Sequence, residues 1–324
     1  MDIRKYWTRQ ERRNGLLGIE KISLIYIFFT TVLLLIFWGQ LENPLQMLTD
    51  RLLIIVGMAI MVGLYRMRCC RLTFFLRVAY LMALLAYWYP ETYSFCSLFP
   101  YQDHIFAGLD QELFGTQPAL HFCHWLNGIF WSEAFNLGYF SYYPLIFIVV
   151  IYAFLADYRR FEKTTFIIVA SFLLYYAIYM FFPVAGPQYY YPAAGIDNIA
   201  SGTFPAVGTW FRTHTEMLPP PQHGGLFQWL VEQAQASGER PTAAFPSSHV
   251  GMSTILLILA GKMNRNLVRF ILPFYILLCG ATVYIQAHYL IDVIAGFITA
   301  GVFYKMTHWL YYRKYFHRPN GVGH

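Results

Sequence analysis

The composition of this 324-residue chain is that of a membrane protein. Hydrophobic residues make up 57% of the sequence and charged residues only 12%, whereas a soluble domain carries about 25% charged residues. This balance excludes a soluble globular domain. The net charge of +6 alone would allow a nucleic-acid partner, so the positions of the charges have to decide that question.

Apolar runs predict eight membrane helices, since roughly 20 residues span the hydrocarbon of a bilayer. The first run follows a basic segment and lacks a small-residue cleavage site, so we interpret it as a retained anchor. The eight predicted segments are 22–39, 51–65, 72–89, 135–155, 164–182, 247–261, 267–286 and 289–306. The predicted fold class is therefore all-α, a polytopic membrane protein.

The positions of lysine and arginine predict the orientation of these helices. With both termini in the cytoplasm, 20 of the 23 basic residues lie inside and 12 of the 17 acidic residues lie outside, as the positive-inside rule expects. Only Arg51, Arg212 and Arg240 stand on the outer side. The positive charge is thus a topology signal for a multi-pass protein of the cell membrane, and no basic groove is left for nucleic acid.

Two long outer loops follow from this topology. The first, 90–134, is predicted to form short amphipathic helices on the membrane surface, and its role beyond that stays open. It also holds Cys96 and Cys123, either as a disulfide or as two free thiols. The second loop, 183–246, is rich in glycine and proline, including Pro219-Pro220-Pro221, with one helical interlude from Leu226 to Ala236. A loop of this length is usually functional or disordered.

A short polar motif stands where the second loop becomes a helix. Pro246 breaks the preceding structure, Ser247 and Ser248 supply hydroxyl groups, and His249 follows. A helix N-terminus binds anions through its free N–H groups, so this motif suits phosphate oxygens and a proton donor. The alternative interpretation is a serine N-cap beside an interfacial histidine.

A second motif, His288 with Asp292 four residues later, stands at the start of the last helix. Side chains at this spacing share a helix face, and a carboxylate that accepts one imidazole N–H raises the basicity of the other nitrogen. His288 is therefore a candidate nucleophile toward phosphorus. A His–Asp pair that only joins helices is the structural alternative. A metal site is a further alternative, in which His121 and His124 would add ligands.

The two motifs resemble the second and third signature motifs of the type 2 phosphatidic acid phosphatase (PAP2) superfamily. The pattern from His288 to Ala300 also resembles the superfamily's sphingolipid-synthase branch, which includes inositol phosphorylceramide and sphingomyelin synthases. Further similarities are Gly186-Pro187-Gln188-Tyr189-Tyr190 and Asp110-x-x-Leu113-Phe114-Gly115.

The resemblance implies a six-helix PAP2-like core within residues 72–306, after two accessory helices in 1–71 and before a cytoplasmic tail, 307–324. It implies a phosphohistidine intermediate without metal or other cofactor. His288 would attack phosphorus, Asp292 would orient it and His249 would protonate the leaving group. The substrates would be membrane phospholipids or sphingolipids, and the oligomeric state stays open.

The departures from the phosphatase pattern concern positive charge. The phosphatase form has Lys-x6-Arg-Pro, but here only Gln233-x6-Arg240-Pro241 is similar, and Ala281-Thr282 stand where Ser-Arg is usual. A phosphate monoester brings nearly two negative charges and a diester brings one, and buried phosphate oxygens need donors or charge. We therefore expect a lipid phosphotransferase acting on phosphodiesters at the outer face. Ser247, Ser248 and Arg240, or less favourably Arg212, would bind the phosphate.

Two other functions stay open at this stage. One is a PAP2-type phosphatase of lipid or isoprenoid phosphates, in which water is the acceptor. The other is a lipid transporter without enzymatic activity, which would use the intramembrane histidine and aspartate as a proton relay. The chain shows no internal repeat or paired broken helices of the transporter kind.

Overall fold

A computed structural model describes residues 4–11, 15–220, 224–313 and 316, and this part of the chain is helical, without β-strands. Outside it lie four of the basic residues counted for the orientation and one proline of the second loop, namely Arg12, Arg13, Lys314, Arg318 and Pro221. The helices are α1 (Arg4–Trp7), α2 (Gly18–Ile36), α3 (Pro44–Met67), α4 (Arg71–Cys96), α5 (Asp103–Phe114), α6 (Pro118–Trp125), α7 (Ile129–Phe140), α8 (Tyr142–Ala156), α9 (Tyr158–Phe181), α10 (Pro187–Ala194), α11 (Ile196–Ala200), α12 (Leu226–Gly238), α13 (Ser248–Met263), α14 (Arg265–Tyr284) and α15 (Leu290–Tyr311).

Each of the eight predicted membrane segments corresponds to helix in the structure, which confirms the polytopic all-α class. Six helices within the described residues are long and apolar enough to cross a membrane by themselves, namely α2, α3, α4, α9, α14 and α15. The predicted segment 135–155 is a pair, α7 and α8, bent by 43° at their junction. The segment 247–261 is α13, an apolar helix of 16 residues, which is shorter than the usual span.

The chain divides into two compact units. The first comprises Met1–Tyr87, Ala153–Leu173 and Lys305–His324, and the second comprises Trp88–Tyr152 and Leu174–Tyr304. All residues of the candidate site belong to the second unit. These units do not test the predicted division at residues 71 and 306, which stays a prediction.

The first unit contains a buried ion pair between Arg77 of α4 and Glu20 of α2. The Arg77 Nε donates to Glu20, and both side chains are almost fully buried. Arg77 also donates to the Gly15 carbonyl (3.0 Å) and lies over the Tyr65 ring. Glu20 accepts the Leu17 N–H as well (2.7 Å), so it caps its own helix. These contacts satisfy a charge that would otherwise be costly inside an apolar unit.

The second unit contains the two outer loops, which are more helical than the sequence indicates. The first loop forms α5 and α6, as expected, and the predicted interlude in the second loop is α12. Helices α10 and α11 were not predicted, because the segment from Pro187 to Gly195 is interrupted by glycine and proline. Pro187 stands at the first position of α10, where a missing N–H costs nothing.

The possible disulfide of the first loop does not form. Cys96 and Cys123 are both free and buried. The Cys96 thiol lies 3.1 Å from the Thr242 hydroxyl, and the Cys123 thiol donates to the Leu120 carbonyl (3.7 Å). The two cysteines pack in separate clusters of apolar side chains.

We predict that Arg77→Ala lowers the free energy of unfolding by about 3–5 kcal/mol, because it leaves the Glu20 carboxylate buried without its partner. Thermal or denaturant unfolding of the purified protein in detergent measures this. The double variant with Glu20→Ala should recover part of the loss.

The matched control is Arg160→Ala, which breaks the exposed Arg160–Asp157 pair and should cost only about 0–1 kcal/mol. Equal losses for the two arginine variants would contradict the assigned role of the buried pair.

Candidate functional site

His288 lies in the turn between α14 and α15, with its side chain buried. Its Nδ1 is 2.8 Å from the Ala244 carbonyl oxygen. A carbonyl only accepts, so Nδ1 carries the proton and the Nε2 lone pair is available. Burial lowers the pKa of His288 to about 4, which keeps the ring neutral near pH 7. These are the properties of a nitrogen nucleophile.

His249, the second residue of α13, faces this nucleophile. Its Nδ1 lies 3.4 Å from the His288 Nε2. The His249 ring lies against two tyrosine rings, at 4.5 Å from that of Tyr139 and 4.4 Å from that of Tyr142 between centroids. These rings come from α7 and α8, on either side of the bend. This packing holds the His249 imidazole with its Nδ1 toward His288.

Asp292 is near His288 but does not accept its proton. The Asp292 Oδ2 is 3.7 Å from the His288 Nδ1, beyond hydrogen-bond distance, and instead accepts the Tyr289 N–H (2.9 Å). Its Oδ1 has no partner in the described part of the chain. The expected His288–Asp292 hydrogen bond is thus replaced by the one to Ala244, because the carboxylate turns back to cap its own helix.

The starts of α13 and α15 are in direct contact. The Ser247 N–H donates to the Asp292 carbonyl (3.1 Å). A Cβ on Gly296 would lie 2.8 Å from the Ser247 carbonyl oxygen, so only glycine allows this approach. The turn before α13 is held further by the Tyr179 hydroxyl, which donates to the Pro246 carbonyl (3.0 Å). The two sequence motifs therefore form one site.

Carboxylates occupy the N-terminus of α15. Asp110, on α5, accepts the Leu290 and Ile291 N–H groups at 2.9 Å each, and Asp292 accepts that of Tyr289. No N–H group of this first turn is left for a bound anion. A phosphate at this helix end would also meet two carboxylates.

The N-terminus of α13, in contrast, retains a free N–H donor and, in the described part of the chain, has no carboxylate bound to it. The Ser247 hydroxyl accepts the Val250 N–H (3.4 Å) and serves as N-cap. The Ser248 N–H is directed to the Tyr179 hydroxyl, and the His249 N–H has no acceptor among the described residues, which is usual for the first turn of a helix. Of the two predicted serines, Ser247 is therefore a structural cap, and Ser248 is buried with its carbonyl accepting the Tyr142 hydroxyl (3.4 Å). Their binding of phosphate stays a prediction.

Arg240, the predicted binder of the phosphate charge, is exposed. Its Nη1 donates to the neighbouring Glu239 carbonyl (2.9 Å). Ala281 and Thr282, which stand where the phosphatase pattern has Ser-Arg, are fully buried. The Thr282 carbonyl accepts the His288 N–H (2.9 Å). Thr282 thus supports the nucleophile's backbone, and neither position brings a cation to the site.

Asp103 of α5 holds another part of the site. Its two oxygens accept the Ala185 and Gly186 N–H groups at 2.9 and 2.8 Å, and it also accepts the Tyr289 hydroxyl (3.1 Å). Burial raises the pKa of Asp103 to about 7 and that of Asp110 to about 6. The sequence alone marks Asp110 as part of the Asp110-x-x-Leu113-Phe114-Gly115 resemblance and Asp103 as an acid of the first outer loop, without a role for either. Their spacing of seven residues places them on one helix face, which was the available signal.

The Gly186–Tyr190 segment, noted in the sequence for its resemblance, packs against the turn that carries His288. Gly186 has a φ of 92°, and a Cβ there would lie 2.5 Å from the Ala287 carbonyl oxygen. The Gln188 N–H donates to the Gln286 carbonyl (2.8 Å). The Gln188 side chain donates to Glu239 (2.6 Å), a carboxylate that sequence reasoning also missed.

The metal alternative finds no geometric counterpart in residues 4–11, 15–220, 224–313 and 316. No three side chains of His, Cys, Asp or Glu converge there as a metal would require. His121 stacks on Trp125, with 6.3 Å between ring centroids.

Comparison with known proteins identifies one family. The sequence model of the PAP2 superfamily matches residues 106–306, which is more than half of the chain. The match includes both histidine motifs and Asp110. No curated protein and no solved structure gives a significant match.

We predict that Asp110→Asn loosens the start of α15. Asparagine retains one acceptor but turns an amide N–H₂ toward a backbone N–H, so the free energy of unfolding should fall by about 1–3 kcal/mol. Hydrogen exchange followed by mass spectrometry should show faster exchange in the peptide that contains Leu290 and Ile291.

Glu112→Gln provides the control, because Glu112 lies on the same helix and is exposed. It should change neither stability nor local exchange. Unchanged protection of Leu290 and Ile291 in Asp110→Asn would show that the carboxylate does not hold this helix start.

Proposed function

Because the chain belongs to the PAP2 superfamily, whose members are generally phosphatases or phosphotransferases, we propose that it is a membrane lipid phosphotransferase. It cleaves lipid phosphodiesters through a phosphohistidine intermediate and passes the phosphoryl group to a hydroxyl acceptor. The observation that carries this proposal is the paired geometry of His288 and His249, whose Nε2 and Nδ1 atoms are 3.4 Å apart, at the start of α13.

The first step forms the phosphohistidine. The phosphate binds at the start of α13 and separates the two imidazoles, whose facing nitrogens are 3.4 Å apart before it enters. The His288 Nε2 attacks phosphorus while the bond from phosphorus to the leaving oxygen breaks. His249, protonated beside the bound anion, gives its proton to that oxygen. The His288 Nδ1–H stays bonded to Ala244, and the Asp292 carboxylate at 3.7 Å offsets the positive charge of the phosphorylated ring.

The second step reverses these roles. A lipid or head-group hydroxyl approaches the phosphohistidine, and His249, now neutral, takes its proton. The hydroxyl oxygen bonds to phosphorus as the bond to the His288 Nε2 breaks. The side chains of this chain account for both proton transfers, so the mechanism needs no metal or other cofactor.

The charges around the site support a diester donor. Ala281 and Thr282 are buried and neutral, and Arg240 is exposed. Asp110 and Asp292 occupy the neighbouring helix end. A donor with a single negative charge requires less compensation than a monoester with nearly two. Together with the resemblance of the His288–Ala300 pattern to the sphingolipid-synthase branch, this supports extending the proposal to inositol-phosphoryl-type or related sphingolipid head-group donors.

The distribution of lysine and arginine supports a position of this site at the outer face of the cell membrane. Both termini would then lie in the cytoplasm. A PAP2-type phosphatase, with water as acceptor, would use the same two histidines, so the product of the second step distinguishes the two functions.

We predict that His288→Ala abolishes turnover and that His249→Ala lowers it by roughly 10²–10⁴-fold. The purified protein is incubated with a panel of phosphodiester and monoester donors and with acceptor lipids that carry a hydroxyl group. The lipid products are then identified by mass spectrometry. Wild-type protein should form a new phosphodiester, and an acid-labile phosphoryl group should appear on His288.

His121→Ala is the matched histidine control, and neither it nor a metal chelator should reduce turnover. Release of inorganic phosphate without a new diester would favour the phosphatase. Turnover that survives in His288→Ala would refute the mechanism, and absence of any phosphoryl chemistry would favour the lipid transporter.

A further inference from the structure

A carboxylate without a counter-charge among the described residues, Glu239, is held by a segment that packs against the turn of the candidate nucleophile. Glu239 ends α12 as its C-cap. Its Oε1 accepts the Gln188 side-chain N–H₂ at 2.6 Å. Neither the His288–His249 pair nor the proton transfers described above use this carboxylate, so its presence in the site needs another explanation.

Two short paths connect Glu239 to His288. Gln188, which holds the Glu239 carboxylate, donates its own N–H to the Gln286 carbonyl (2.8 Å), two residues before the nucleophile. On the other side, the chain runs from Glu239 to Ala244, whose carbonyl accepts the His288 Nδ1–H. The Glu239 carboxylate is therefore positioned by the same two segments, one around Gln188 and one from Glu239 to Ala244, that position the His288 imidazole.

The charges of the two groups interact. Burial lowers the pKa of His288, and the Ala244 hydrogen bond and the Glu239 charge act against that effect. Burial likewise raises the pKa of Glu239, while hydrogen bonds from Gln188 and Gln235 and the charge of His288 oppose the rise. The negative charge of Glu239 thus acts on the imidazole that would receive the phosphoryl group.

No cation neutralises this carboxylate in the part of the chain that the structure describes. Its partners are the neutral amides of Gln188 and Gln235. Arg240, the next residue, is exposed and directs its Nη1 to the Glu239 main-chain carbonyl. A bound phosphate therefore meets an uncompensated negative charge.

We infer that Glu239 is a specificity-determining residue, whose negative charge excludes doubly charged phosphate monoesters and admits singly charged diesters. The inference rests on the proposed function. Electrostatic repulsion scales with the product of the charges, so a monoester is repelled about twice as strongly as a diester at the same position. The neutral hydrogen-bond partners keep the charge in place without weakening it.

The test compares Glu239→Gln with wild-type protein in the same mixed micelles. The measured quantity is the ratio of kcat/KM for a monoester, phosphatidic acid, to that for the phosphodiester donor that wild-type protein uses. We expect the ratio to rise on the order of ten-fold in Glu239→Gln. Because both substrates are measured on one sample, a lower yield of folded protein cancels from the ratio.

Two further variants separate charge from contact. Glu239→Asp retains the charge but shortens the reach to Gln188, so it should keep the wild-type ratio. Glu232→Gln makes the same change on α12 at an exposed carboxylate that accepts the Gln228 amide (2.8 Å), and it should also keep the ratio.

An unchanged ratio in Glu239→Gln would overturn the inference, and so would equal increases in Glu239→Gln and Glu239→Asp. These outcomes differ from failure of the proposed function, in which wild-type protein itself would transfer no phosphoryl group from any diester.

Discussion

Asp110 accepts both N–H groups at the start of α15, and the position of His288, two residues earlier, depends on that contact. Buried N–H groups without acceptors are costly, so the turn that carries the nucleophile would not hold its shape without an acceptor from outside the helix. Asp103 does the same for the Gly186 segment, which packs on the other side of this turn. One amphipathic helix of the outer loop, α5, thereby supports both the start of α15 and the Gly186 segment, which lie on either side of the turn that carries His288.

This support has an electrostatic consequence for the whole site. The acids that hold the backbone also occupy the anion-binding end of α15, so only the start of α13 is left to receive a phosphate. Two helix N-termini meet here and differ in function. Carboxylates accept the N–H groups of α15, which follows the nucleophile His288. No carboxylate of the described residues binds the start of α13, which carries the proton donor His249. The division explains how a site rich in acidic residues and poor in cations could still bind a phosphate ester.

Much of this could be predicted from local sequence. The apolar runs predict the spans because their length and hydropathy depend on neighbouring residues alone, and the two histidine motifs are short enough to recognise. The Ala244–His288 contact could not be predicted, because it joins a main-chain carbonyl to a side chain 44 residues away. Asp292 does not accept the His288 N–H as predicted, because a carboxylate at a helix start has a competing donor, the Tyr289 N–H. Glu239 and Asp110 act through contacts whose partners lie about 50 and 180 residues away, beyond any local pattern.

The hydrogen bond from His288 to Ala244 has a bearing on how the site can be studied and how it can vary. The acceptor is a peptide oxygen, which every amino acid supplies, so side-chain replacement at that position cannot delete it. Alanine scanning would pass over it, since the residue is already alanine. The path of the main chain therefore determines the tautomer of His288, and substitutions at position 244 do not change it. Changes that bend this path, rather than changes at the residue itself, are the ones that would alter the chemistry.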